Sequence, residues 1–162
     1  MGCLRRLLPG VKLDILITNA GNFSGLHPLG TKMPAELNTA FSVNMLGLYL
    51  AISAFLPLAA PGSTIINISS PMAHLPSFPS FSSYGATKLA GYKLLDYVAA
   101  SNPELRVVNV HPGQVAETET EMAGKGAKCP DLDAHIDDVE LAGDFTVWVA
   151  SGEARFLKGK FV

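Results

Sequence analysis

The sequence predicts an α/β fold in which a parallel β-sheet carries helices on both faces. Three observations support this. Short apolar runs rich in β-branched residues, "LDILIT" (13–18), "STIINIS" (63–69) and "LRVVNV" (105–110), have strand length without polar alternation, as expected of strands buried on both faces. Longer segments with helical periodicity separate them. Turn-forming residues follow each run: Asn19-Ala20-Gly21, Ser69-Ser70 and His111-Pro112-Gly113. Alternating strands and helices imply right-handed crossovers, and such sheets bind ligands at the carboxyl ends of their strands.

The elements follow in chain order. After the first strand, residues 34–59 read as one long helix, with Pro34 suited to its first turn and Glu36 to the positive end of its dipole. The second strand (63–69) leads to a second amphipathic helix from 83 to about 100, stopped before Pro103. The third strand (105–110) opens into a polar, glycine-bearing stretch, 114–136, expected to be a loop or lid lining a substrate site. A third helix, 137–151, starts with acidic residues, and "KGKFV" (158–162) reads as a last strand. With no repeat, low-complexity tract or linker, residues 1–162 read as a single domain.

Composition narrows the function. Apolar residues make up 48% and charged residues 16%, a globular balance. A net charge of −2 supplies no basic field for nucleic acid. Cys3 and Cys129 lie far apart, which fits a reducing compartment and points to the cytoplasm. No membrane span is expected, because Gly47 and Pro57 divide the most apolar segment, "MLGLYLAISAFLPLAA". Gly2 and Cys3 belong to an acylation pattern that fails at Arg6. The glycosylation patterns "NFS" and "NIS" read as chance matches.

The chemistry centres on "SSYGATKLAGYK", in which Lys88 follows Tyr84 by one helical turn. A free tyrosine titrates near ~10, and an adjacent ammonium favours the phenolate. The spacing therefore predicts that Lys88 lowers the pKa of Tyr84 and makes it a usable acid or base. The plainer reading is a solvent-facing pair. Ser69 or Ser70, at the end of the second strand, could donate to a carbonyl oxygen or serve only as a turn residue. Asn44, flanked by apolar residues within a helix, needs a hydrogen-bond reason, whether backbone, water or chemistry. His27, His74, His111 and His135 show no metal-ligand spacing, and no G-x-S-x-G elbow of a serine hydrolase occurs.

Taken together and in order, "TNAG", "FSVNMLG", "INISS", "YGATK" and "HPGQV" resemble the short-chain dehydrogenase/reductase family of classical type. The likeness runs from about residue 13 to 115, and the tail "FLKGKFV" is similar to that of fungal members. The resemblance implies a Rossmann-like parallel sheet and a catalytic tetrad. Tyr84 would exchange a proton with the substrate, and Lys88 would tune it and hold the nicotinamide ribose. Ser70 would polarise the carbonyl, and Asn44 would hold a water leading to Lys88. Ser70 is one position farther from Tyr84 than the family spacing. Asn19, Ala20 and Gly21 match the family's strand-end motif near the adenosine, and Pro112, Gly113 and Val115 match its nicotinamide contacts. Glu117 stands where the family has a threonine, with Thr118 next. The implied cofactor is NADP or NAD, and the implied substrate a small carbonyl or alcohol, in fungal secondary metabolism. The implied assembly is a homo-oligomer paired through the two long helices.

The resemblance also implies a partial fold. No glycine-rich G-x-x-x-G-x-G turn precedes "LDILIT", so the expectation is a truncated domain with its N-terminal strands missing and weak dinucleotide binding. Strand 13–18 would then present a bare edge. Alternative expectations are an inactive remnant acting as a binding protein, or a product whose start lies upstream.

Overall fold

A computed structural model describes residues 10–23, 30, 34–75, 79–115 and 136–162. Its centre is a parallel three-stranded sheet in the order β1 (Leu13–Thr18), β2 (Ala59–Ile68), β3 (Arg106–Val110). β1 pairs with β2 from Ile15↔Thr64 to Thr18↔Asn67, and β2 with β3 from Thr64↔Arg106 to Ile68↔Val110. β2 starts four residues earlier than expected, at Ala59 rather than 63. The register shifts between Leu13 and Ile15, opposite Pro61 and Gly62 on β2. Gly62 there takes a φ of 74°, which a side chain would resist. Of the expected last strand only a single parallel bridge forms, Phe161 to Asn109 of β3: Asn109 N donates to Lys160 O and Val162 N to Asn109 O, both at 2.9 Å.

Helices cover both faces, as the strand pattern predicts. On one face lie α1 (Pro34–Phe41), a π turn (Ser42–Gly47), α2 (Leu48–Phe55) and α3 (Ser82–Ser101). Their Leu48, Ile52, Phe55 and Leu95 pack with Ile65, Leu105 and Val107. On the other face α4 (Val139–Ala150) sets Val149 against Ile66, Val108 and Val110. Successive residues Ile65/Ile66 and Val107/Val108 thus serve opposite cores, which explains why these strands show no polar alternation. Arg106, buried in β3, donates to Thr64 Oγ1 and to the carbonyls of Ala150 and Ser151, satisfying the end of α4.

The long helix expected over 34–59 forms, and the interruption expected of its apolar segment does not occur. Gly47 is absorbed in the π turn, and Pro57 sits in the 3₁₀ turn Leu56–Leu58, where its missing N–H costs little. Helix Ala35–Leu58 is therefore continuous, with 24 residues and a mean hydropathy of 1.7, long and apolar enough by length and composition to cross a membrane. Here its inner edge joins the core beside β2, while Leu46, Tyr49 and Leu50 are exposed. Ile15 and Ile17 of β1 are exposed as well. In the stretch expected to be a loop, short strands β4 (Gln114–Val115) and β5 (Ile136–Asp137) pair in parallel. The segment between them, with Glu117, Thr118, Cys129 and His135, lies outside the described residues, as do Cys3 and His27.

Candidate active site

Every residue singled out for chemistry comes from the carboxyl end of the parallel sheet or from a helix facing it. Ser69 and Ser70 follow β2, and Ser69 N donates to Val110 O at 2.8 Å, joining that end to β3. Ser70 caps the short 3₁₀ turn Pro71–Ala73, its Oγ accepting from Met72 N at 3.3 Å. That turn holds the loop to α3, whose third residue is Tyr84. Ser70 lies close enough to Tyr84 for its side chain to favour the phenolate. Ser69 Oγ, by contrast, is buried without a hydrogen-bond partner among the described residues.

Lys88 lies one turn along α3. Its Nζ is 5.6 Å from the centre of the Tyr84 ring and donates to Ile68 O at 2.9 Å. Asn44, in the π turn, accepts from Asn22 N at 2.6 Å and donates to Asn22 O at 3.0 Å and Thr87 Oγ1 at 2.9 Å. Gly21 closes this corner: a Cβ there would stand 3.6 Å from both Asn44 Oδ1 and Lys88 Nζ. Asn19 and Ala20 before it are exposed. Pro112, Gly113 and Val115 occupy the neighbouring end of β3 and the start of β4. Gly113 has a φ of 82°, and a Cβ on it would collide with the Asp137 carboxylate.

The expected electrostatics are corrected here. Burial holds the Tyr84 hydroxyl above its ordinary pKa, and the nearby Ser70 side chain only partly opposes this. Helical spacing reveals the nearby lysine charge, whereas the loss of solvent around the ring depends on packing. Burial also lowers Lys88, to about 8. At neutral pH Tyr84 keeps its proton and Lys88 is largely charged.

Several contributors were not apparent from the sequence. Phe23 sets its ring edge-on to Tyr84 at 5.1 Å, fixing the phenol plane. Thr18, Asn67 and Asn109 form a side-chain ladder across all three strands, with Thr18 Oγ1 donating to Asn67 Oδ1 at 3.0 Å and Asn67 Nδ2 to Asn109 Oδ1 at 2.9 Å. Thr87 stands inside the quoted "YGATK" yet reads as a spacer, because its partner Asn44 is distant in sequence.

The profile of the short chain dehydrogenase family matches residues 6–128. "Short chain dehydrogenase mpl6" of Monascus purpureus is 33% identical over 156 residues, which cover 93% of this chain and 51% of that protein. "Short chain dehydrogenase tazN" of Aspergillus terreus is 30% identical, over 93% of this chain and 34% of its own. A solved short-chain dehydrogenase/reductase from Serratia marcescens superposes with a TM-score of 0.75 at 27% identity, covering 93% of this chain and 63% of its own. The chain thus spans about half, or less, of the curated relatives it matches.

Proposed function

The chain belongs to the short-chain dehydrogenase family, and from that membership we propose that it carries the catalytic half of an NAD(P)-dependent oxidoreductase acting on a small carbonyl or alcohol. The observation that carries this reading is the contact of Ser70 with Tyr84, one turn ahead of a half-buried Lys88. In the reducing direction Tyr84, held in its neutral form, gives its proton to the carbonyl oxygen. Ser70 donates to the same oxygen and stabilises the charge that develops there. The Lys88 ammonium favours the phenolate left behind. Asn44 braces the π turn against the loop after β1.

The residues fit the nicotinamide side of the cofactor. Lys88 gives one proton to Ile68 O, which leaves two for ribose hydroxyls. Asn19, Ala20 and Gly21 on one strand end, with Pro112, Gly113 and Val115 on the next, would flank that half. The chemistry the nicotinamide supplies when bound is hydride transfer at the carbonyl carbon. The 162 residues contain no G-x-x-x-G-x-G turn to hold the pyrophosphate. The fungal relatives support a place in fungal secondary metabolism, and the cysteine content supports a cytoplasmic one. Exposed Leu46, Tyr49, Leu50, Leu89 and Tyr97 on α2, α3 and the adjoining π turn support a homo-oligomer built on these helices.

The test is deuterium transfer from 4-deuterated NADPH or NADH to a small activated ketone, catalysed by the 162-residue chain at millimolar cofactor. Deuterium in the product alcohol, lost in Tyr84→Phe, is expected. No transfer, or undiminished transfer in Tyr84→Phe, overturns the reading. Titration should give weak binding with little preference between the two cofactors. Each absent charge-assisted hydrogen bond forfeits about 1.5–3 kcal/mol, which puts the dissociation constant near ~1 mM or above. Micromolar binding with a clear NADPH preference contradicts that expectation.

A further inference from the structure

Phe23 lies in the loop after β1, two residues past Gly21, and is buried. The π turn pins that loop. Asn44 holds the preceding residue, Asn22, by both backbone groups, accepting from its N at 2.6 Å and donating to its O at 3.0 Å. From this anchored position the Phe23 ring meets Tyr84 edge-on, with centres 5.1 Å apart and planes at 84°. It is backed by the ring of Phe81, also buried, at 5.7 Å. Contacts of this geometry are direct packing between rings. Phe81 leads into α3 one turn before Tyr84, and Lys88 follows one turn after it. The phenol therefore has an ammonium beside it toward one end of the helix, 5.6 Å from the ring centre, and an apolar pair of rings toward the other.

A phenyl ring offers a phenolate no hydrogen bond and excludes the water that would. We propose that Phe23 is a positioning residue for the proton transfer: its ring, braced by Phe81, seals Tyr84 from water on the side of the loop after β1, so that the hydroxyl gives its proton to the substrate and not to solvent. This rests on the functional reading above only for the destination of the proton; the seal is a property of the chain alone. It agrees with the raised pKa of Tyr84, whose largest cause is burial. Lys88 is the charged group beside the ring, and the other segments that meet there bring none. Residues 19–23, 42–47 and 68–73 contain no Asp, Glu, Lys, Arg or His. A Phe23 that served the core alone would affect stability and leave the titration of Tyr84 where it is.

The experiment follows Tyr84 by ¹³C NMR with ¹³Cζ-tyrosine on the 162-residue chain without cofactor, its signal assigned among the four tyrosines by Tyr84→Phe. Lys88 titrates near 8, so its ammonium is largely gone before the phenol ionises and the phenol then reports its solvent. The wild-type inflection should lie above the ordinary ~10. In Phe23→Ala water reaches the ring, and the inflection should fall by about half a pH unit or more. Phe23→Leu keeps an apolar side chain against the ring and should stay closer to wild type. An unchanged inflection in folded Phe23→Ala, or a Phe23→Leu variant that falls as far as Phe23→Ala, overturns the proposal. Should Phe23→Ala unfold, Phe23→Thr reads the same inflection, and a wild-type value there is equally decisive. Turnover in Tyr84→Phe is a separate axis. If it persists, the functional reading falls while the tyrosine titration still decides the role of Phe23.

Discussion

The two halves of α3 bury their side chains for opposite ends. Toward its N-terminus the helix carries Ser83, Tyr84, Thr87 and Lys88, polar groups drawn out of water and held by specific partners. Toward its C-terminus it buries Leu95 fully against Phe55, Ile65 and Val107. Burial of Leu95 stabilises the fold by about 1.5–3 kcal/mol. Burial of Lys88 works against it, because folding drives the ammonium toward its neutral form. One rigid helix thus lets an apolar segment hold a costly polar one in place. Substitutions in the two halves should separate stability from chemistry.

The largest expected effect is on rate. Tyr84→Phe removes the proton donor and should lower turnover by about 10²–10⁴ with little change in thermal midpoint. Steady-state assay beside calorimetry checks both parts, and a folded variant of near-wild-type activity would remove Tyr84 from the mechanism. Leu95→Ala should do the reverse, costing about 2–5 kcal/mol in denaturant unfolding while the folded fraction keeps its activity. Loss of activity without loss of stability there would erase the contrast between the halves.

Lys88→Met should abolish turnover and yet raise stability. Lys88 titrates near 8 in the folded chain against 10.5 for the free side chain, so the unfolded state binds the extra proton between those values. The cost of burying it is fully present below pH 8 and fades as the pH climbs toward 10.5. The gain in Lys88→Met should be roughly 1–3 kcal/mol at pH 7 and shrink across that window, read from unfolding curves at several pH values. Wild-type turnover should decline above pH about 8 as the ammonium is lost. The smallest effect belongs to the outer surface. The double change Leu50→Lys, Tyr97→Lys should move monomer stability by no more than about 0.5 kcal/mol. Light scattering should show it shifting an assembled state toward monomer.

Much of the architecture is legible in the residues. The three strands, α3 and α4 fall within a few residues of their predicted bounds, because β-branched runs and helical periodicity are local signals. Gly47 and Pro57 misled only about the apolar run within the long helix, since a π turn and a 3₁₀ end carry it through and neither is visible in periodicity. The β4–β5 pairing was missed because each strand contributes only two residues, too few for a pattern. At the candidate site, the presence and order of Asn44, Ser70, Tyr84 and Lys88 were legible. The upward direction of the Tyr84 pKa was not, because desolvation depends on what surrounds the ring.

The sequence by itself determined which residues could do chemistry and that they fall near strand ends, because strand length, turn residues and helical spacing are written over a few consecutive positions. Only the tertiary structure decided which of them meet. Asn22, Asn44 and Thr87 form one hydrogen-bonded chain though they are far apart in sequence, and Ser70 rather than Ser69 reaches Tyr84. The same holds for the charges: spacing along a helix brings Lys88 beside Tyr84, but only packing decides how much water each loses, and that loss is the largest cause of both shifts.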